Sequence, residues 1–538
     1  MVTTEIWILS SEVTRVGTFQ SFFLHFSVTS VPLCFNPLSQ ICVFGCGRLA
    51  ALSPLRFKSF CFVHFLQTRR QPETVMTQPI QFAGETKSNA VRQIVAEREP
   101  IALRTFTPSQ AVFAKSAGVY HWTPEGRKLY DYSSGVLVAN LGHNPRRWMQ
   151  HFARYMNWSP EALFGVEARA DEYVPAITMT AYNGITEIET QAVQRLLANV
   201  RKSKGSGRLD TIVWAASGSE AIQKALWASL ARDRTRDMIL ATRYGFHGKK
   251  GLANAVTGSE KDAERDPRVK FISFPMDEIL DAGFDPAAID LAKYRAELDD
   301  LWRQFGRQLT CLITEPYLGG GGSFHPTAAY HQMLQQFCRE HDLLFIFDEV
   351  QANFGRTGAM YAFEAYGVEP DMVVLGKGLG NGVPVAAVAS RSDVFGAMKY
   401  GEASDTWSAN PLSCAAVLAT LDEFESTDVL KHVRELTPIF LKGLERLKQT
   451  GLVNHVRGEG LVFGFECAAA GQLTAGEVAA KIVETCYVGK DGVGIHLLGA
   501  LAGKVLRVSP PLTITLEEAR VSLDLLNDIV GNLGVLRS

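Results

Sequence analysis

Seven short apolar runs punctuate residues 210 to 391, and they constrain the fold more than anything else in the chain. They read "TIVWAA" (211–216), "MILATR" (238–243), "VKFISF" (269–274), "LTCLITEP" (309–316), "LLFIFDEV" (343–350), "MVVLGK" (372–377) and "VAAVAS" (385–390). Continuous rather than alternating apolar runs mark strands buried on both faces, which is the habit of parallel sheets covered by helices. Helical patterns with apolar residues three and four apart lie between them, as in "SEAIQKALWASLARD" (219–233) and "AAYHQMLQQFCREHD" (328–342). The expected architecture is α/β, with a mostly parallel seven-stranded sheet.

After Pro411 the pattern changes. A long helix, "LSCAAVLATLDEFES" (412–426), is followed by another helix and short strands such as "LVFGFEC" (461–467) and "KVLRVS" (504–509). This predicts a smaller α+β domain over 412–538, with a large domain over 151–411. The segment 76–150 contains "GVYHWTPEGRKLYDYSSG" (118–135), whose turn residues Pro124, Glu125 and Gly126 predict a meander that joins the small domain.

Residues 1–75 differ in kind, holding ten phenylalanines, four of the nine cysteines and only three acidic residues. Their most apolar part, "FQSFFLHFSVTSVPLCF" (19–35), is broken by His25, Ser27, Thr29, Ser30 and Pro32, and falls short of the roughly 20 apolar residues a spanning helix needs. No membrane segment is expected. We read the stretch as a non-globular extension lying upstream of a translation start at Met76. A cytoplasmic protein follows, or an organellar one if the extension is a genuine transit segment.

Charge narrows the function. Lys and Arg number 54 against 56 Asp and Glu, so the net charge of −2 gives no footprint for nucleic acid or anionic lipid. The cysteines show no CxxC pairs and no Cys/His ligand spacing, so neither a zinc site nor a disulfide framework is expected.

In an open α/β sheet, ligands bind beyond the carboxyl ends of the strands. Three features sit there. Asp348 ends "LLFIF", where a carboxylate needs a cationic partner, although an Asp at that place can also cap a helix. Lys377 lies in "VVLGKGLGNG" (373–382), where burial can turn a lysine into a Schiff-base nucleophile, although an isolated lysine is more often solvated. The glycines around it match neither GxxxxGK[ST] nor GxGxxG. Third, "ASGSEAIQKAL" (216–226) opens a helix with capping-box spacing between Ser217 and Glu220, either an anion site or a plain capped helix. Jointly, a phosphate cradle, a buried carboxylate and a strand-end lysine are what pyridoxal 5'-phosphate requires.

The stretch "FDEVQANFGRTGAMYAFEAYGVEPDMVVLGKGLGNGVPVAAVASR" (347–391), with 29 residues from Asp348 to Lys377, closely resembles the signature of class III (subgroup II) aminotransferases, the group of 4-aminobutyrate, ornithine and acetylornithine aminotransferases. The resemblance runs from "GVYHWTPEGRKLYDYSSGVLVANLGHNP" (118–145) to "LRVSPPLTITLEEA" (506–519) and implies a fold-type I enzyme. It implies that Lys377 is the Schiff-base and proton-transfer lysine, that Asp348 pairs with the ring nitrogen, that Val350 lies under the ring, and that Gln351 bonds the phenolic oxygen. Gly218 and Ser219 fall where the family binds phosphate, and Phe246 in "YGFHG" where an aromatic stacks on the ring. Thr406 in "DTWSANPLSCAA" (405–416) matches a threonine that reaches the neighbouring subunit's phosphate, so a homodimer with shared sites is implied. Arg507 in "LRVSPPL" matches the arginine for the substrate carboxylate.

The departures bear on substrate. The motif that many 2-oxoglutarate users write "EPxQGEGG" reads "EPYLGGGG" here, keeping Glu315 but with Gly320 where a gating glutamate would stand. The acceptor 2-oxo acid is therefore left open between 2-oxoglutarate and pyruvate. Val136 is aliphatic where ornithine enzymes have tyrosine, and Lys249 stands where 4-aminobutyrate enzymes have arginine, so an amino acid or ω-amino acid donor is expected. The same anchors also serve aminomutases, racemases and decarboxylases, or a catalytically inactive ligand-binding relative.

Overall fold

A computed structural model describes residues 79–533, apart from 104, 106, 166 and 263–264. The expectations for residues 1–75 lie outside the described residues. The described residues beyond Met76 belong to one compact unit.

Fourteen strands occur among them: β1 Lys115–Ala117, β2 Tyr120–Trp122, β3 Lys128–Asp131, β4 Thr211–Ala215, β5 Met238–Thr242, β6 Val269–Ile272, β7 Leu309–Thr314, β8 Leu344–Asp348, β9 Met372–Leu375, β10 Ala386–Ser390, β11 Val453–Glu459, β12 Val462–Cys467, β13 Val493–His496 and β14 Val505–Val508. The seven apolar runs become one sheet in the order β4-β10-β9-β8-β7-β5-β6. Only β10 runs antiparallel to its neighbours.

Alternate residues of each strand enter two apolar layers. Leu240, Leu312, Phe345, Phe347 and Val373 face one, while Ile239, Ile313, Leu344, Ile346 and Val374 face the other with helix Gly218–Arg232. Both faces are dry, which is why these strands read as unbroken apolar runs. Burying each such side chain contributes about 1.5–3 kcal/mol.

The meander β1–β3 is completed by β13, which pairs in parallel with β3, so chain from either end of the described region shares a four-stranded sheet. A third sheet has the order β11-β12-β14. Helix Pro411–Ser426 packs against helices Glu187–Lys202 and Arg146–Tyr155. Arg356, fully buried, ties these parts together: it donates to Leu461 O and Pro510 O at 2.8 and 2.7 Å, and to Asn140 Oδ1 at 2.6 Å.

Candidate active site

Because β4, β5, β7, β8 and β9 are parallel, their carboxyl ends share one edge of the sheet, and the chain just beyond each end carries a polar group. Asp348 closes β8 and is 4% exposed. Its Oδ1 accepts from Val350 N at 3.0 Å, and its Oδ2 lies 2.7 Å from Nδ1 of His247, which follows β5. The other His247 nitrogen, Nε2, is buried without a hydrogen-bond partner.

Glu315, just after β7, is buried and accepts from Phe246 N at 2.9 Å and Gly319 N at 3.3 Å. Burial pushes its carboxyl up to about 7; Asp348 adds to that while His247 and Lys377 oppose it.

Lys377 opens a single 3-10 turn, Lys377–Leu379, two residues beyond β9. Burial of its ammonium, reinforced by the Arg507 guanidinium, lowers the amine to about 7 against the pull of Glu315 and Asp348. The amine is thus a nucleophile near neutral pH. Its backbone φ of +48° lies in the left-handed region, which costs a non-glycine residue about 1–2 kcal/mol. The turn holds the side chain in place at the strand ends.

Glycines let these parts pack closely. A β-carbon at Gly218 would come within 3.1 Å of Val350 Cγ1, and one at Gly376 within 3.3 Å of the same atom, so Val350 lies between the helix N-terminus and the lysine turn. Ser217 caps helix Gly218–Arg232 by accepting from Glu220 N at 3.3 Å. Glu220 in turn accepts from Ala216 N, one residue before the cap, which departs slightly from a capping box. A β-carbon at Gly320 would approach Phe246 Cβ to 3.1 Å, and one at Gly319 would strike Gln351.

From the three-stranded sheet, Arg507 of β14 reaches the same group. It is 4% exposed, its Nη1 donates to Gln351 Oε1 at 3.0 Å, and its Nε is buried without a partner. Burial lowers the guanidinium below its ordinary value.

Lys377, Asp348, Glu315, Arg507, Gln351, Val350, Gly218, Ser219 and Phe246 are therefore assembled around the strand ends; Ser219 lies against Gly248 on the loop that carries His247. Three expected residues stand apart from this cluster. Among the described residues, no hydrogen bond or ion pair links Thr406, Lys249 or Val136 to it. Thr406 is exposed, on a loop anchored next door where Lys224 Nζ donates to Asp405 Oδ2 at 2.6 Å. Lys249 is exposed. Val136, 40% exposed, lies in a left-handed turn in which Ser134, Gly135, Val136 and Leu137 all have φ between 48° and 66°. That turn is steadied by Ser134 Oγ donating to Ser509 O at 2.7 Å.

His247 is the group that motif matching passed over. Its signal was "YGFHG", where a histidine directly follows the expected stacking aromatic.

The residues fit pyridoxal phosphate. Free amides and hydroxyls at the N-terminus of helix Gly218–Arg232 suit an anion, Gly218 and Gly376 let the backbone pack closely on either side of Val350, and Asp348 suits a protonated ring nitrogen. The unpartnered His247 Nε2 and Arg507 Nε are further buried donors or acceptors around that space.

The chain is also similar to known proteins. The family model for aminotransferase class-III matches residues 161–530. An acetylornithine aminotransferase of Caldanaerobacter subterraneus is 29% identical over 439 residues, covering 80% of this chain and 97% of its own. A 4-aminobutyrate aminotransferase of Mycobacterium tuberculosis is 29% identical over 429 residues, covering 76% and 88%. Among solved structures, a taurine:2-oxoglutarate aminotransferase from Bifidobacterium kashiwanohense aligns with a TM-score of 0.69 at 20% identity, covering 84% of this chain and 99% of that one. The ornithine aminotransferase of Toxoplasma gondii aligns with a TM-score of 0.68 at 21% identity, covering 85% and 97%. The matched model spans well over half of the chain, and the chain belongs to the class-III aminotransferase family of pyridoxal-phosphate-dependent transaminases.

Proposed function

We propose that this transaminase moves an amino group from an amino acid or ω-amino acid donor to a small 2-oxo acid such as pyruvate, with Arg507 holding the carboxylate and Lys377 moving the proton. The carrying observation is the setting of Arg507: its one side-chain hydrogen-bond partner among the described residues is the neutral amide of Gln351, and Gly320 offers no carboxylate to neutralise it. A guanidinium so placed stays free to bind a carboxylate bidentately in both halves of the reaction.

When bound, pyridoxal phosphate supplies the electrophilic carbon for the donor amine and a ring that withdraws electrons from the substrate carbon. Lys377, its amine lowered to about 7, would be suited both to accept and to return a proton at Nζ. Asp348, steadied by His247, would hold a protonated ring nitrogen by its carboxylate. Glu315 orients the Phe246 loop through the backbone N–H it accepts.

A homodimer completes the reading. The chain exposes Phe164, Tyr173, Met179 and Ile185 in one stretch and Trp407 beside Thr406, apolar surface of the kind a second copy covers.

A panel of amino donors against pyruvate and 2-oxoglutarate tests the acceptor. Turnover with pyruvate at least equal to that with 2-oxoglutarate is expected, and a strict requirement for 2-oxoglutarate would refute the proposal. Lys377→Ala should lose both turnover and the visible absorbance of the cofactor–lysine bond. Sedimentation should give a dimer.

A further inference from the structure

One face of the four-stranded sheet gathers a second set of chemically capable side chains. Asp131 ends β3, His121 lies on β2, and His143 follows on the next loop. Tyr120 pairs with Tyr130 and His121 with Leu129, so alternation puts His121 and Asp131 on the same face. His143 Nε2 lies 2.7 Å from Asp131 Oδ2, and His121 Nε2 lies 3.5 Å from the same oxygen. The three ligand atoms all lie within 4.8 Å of one another, the one such group among the described residues.

We propose that His121, Asp131 and His143 form a binding site for a divalent transition-metal cation of the zinc class, with a fourth position open to water. Two imidazoles and one carboxylate suit such an ion. Bonds of about 2.0–2.1 Å in a tetrahedral shell put ligand atoms about 3.3 Å apart. The two separations from Asp131 Oδ2, 2.7 and 3.5 Å, bracket that value, and all three atoms lie within 4.8 Å of one another.

The surroundings also resemble those of a metal site, where each ligand is held from behind. Asp131 Oδ1 accepts from Ser133 N and Ser133 Oγ, both at 2.7 Å, which leaves Oδ2 for the cluster. His121 Nδ1 lies 2.7 Å from Ser116 Oγ, and its ring stacks on Phe113 with centroids 3.9 Å apart. His143 is fixed through its backbone, which exchanges both hydrogen bonds with Gly118.

Beyond its 3.5 Å approach to Asp131 Oδ2, the buried His121 Nε2 has no hydrogen-bond partner. In the tautomer that donates Nδ1–H to Ser116, the Nε2 lone pair faces a carboxylate oxygen, an arrangement that a cation between them relieves. The neighbouring His496, in register with Asp131 on β13, likewise has a buried unpartnered nitrogen, Nδ1. Access is through His143, whose side chain is 17% exposed while Asp131 is fully buried. The sequence carried no sign of such a site: separations of 10 and 12 residues across two strands and a loop match no zinc motif.

The test is to treat the holoenzyme with chelator, remove the chelator, and titrate with Zn2+ by calorimetry and with Co2+ by its d–d absorption at wavelengths beyond the cofactor band. One saturable equivalent is expected, accompanied by a rise in Tm. His121→Asn and His143→Asn should each weaken it more than 100-fold, beyond the roughly 10–100-fold of losing a second-shell partner, and Ser116→Ala should fall within that smaller range. Retained cofactor absorbance and transaminase turnover will show that the variants fold. No saturable binding to the wild type, or equal binding by folded His121→Asn and His143→Asn, would overturn the proposal.

Discussion

Two buried aspartates close strands in this protein, and each faces histidine. Asp348 ends β8 beside one imidazole, and Asp131 ends β3 beside two. The pairs differ in what adjoins them. Around Asp348 stand a lysine amine lowered to about 7, a glutamic acid raised to about 7 and an arginine, with glycines that let these parts pack closely. Around Asp131 stand Phe113, stacked on the His121 ring, and the two hydrogen bonds from Ser133. An Asp–His pair is therefore common to both places, and the transamination chemistry belongs only to the one that also holds a buried lysine amine.

The largest test of this contrast is Lys377→Met, which should reduce turnover on the order of 10³-fold or more. It should also change how stability depends on pH. An unfolded lysine holds its proton up to its ordinary value of 10.5, while folded Lys377 loses it at about 7. Between those values the unfolded chain binds more protons, so the stability of the cofactor-free protein should rise with pH across that window. Thermal midpoints at pH 7 to 10 should show this rise in wild type relative to Lys377→Met; parallel curves would mean that the amine is not buried.

Next in size is a matched pair. Asp348→Asn should lower kcat about 10²–10³-fold through lost electrostatic stabilisation, with little change in urea unfolding. Asp131→Ala should do the reverse: it leaves the Ser133 and His143 donors without their acceptor, costing about 1–3 kcal/mol in urea unfolding, with kcat largely kept. An Asp131 variant that unfolds normally yet loses turnover would break the comparison.

The two regions were also unequally legible. The seven-stranded sheet could be read because burial on both faces writes each strand as an unbroken apolar run, and the strand-end rule then singled out Asp348 and Lys377. His247 escaped because its meaning depends on β5 ending near β8 with β7 between, an order that local sequence does not carry. The His121, Asp131 and His143 group escaped because its members meet only through strand pairing and a loop. The left-handed turn at Val136 was hidden too, since only Gly135 in "SSGVL" marks it and the valine itself argues against it. Thr406 and Lys249 show the opposite case: legible as motif positions, they remain exposed in a single chain.

A smaller effect should separate support from chemistry within the strand-end site. His247→Gln keeps a donor near Asp348 but loses the imidazole, and kcat should fall about 10-fold with a shift in the pH titration of the cofactor absorbance. A purely structural role would lower Tm and leave that titration unmoved.

The smallest effect is expected at the rim. Lys249 is exposed and makes no ion pair among the described residues, and a solvated charge contributes about 0–1 kcal/mol to a contact. Lys249→Met should therefore raise KM by no more than about 5-fold for donors with a distal carboxylate, and leave amines that lack one unchanged. A loss of 100-fold confined to the distal carboxylate would need a desolvated lysine, which the exposed side chain of a single chain does not provide. That outcome would move part of the working charge from the strand ends to the rim, at a side chain that a single chain leaves exposed.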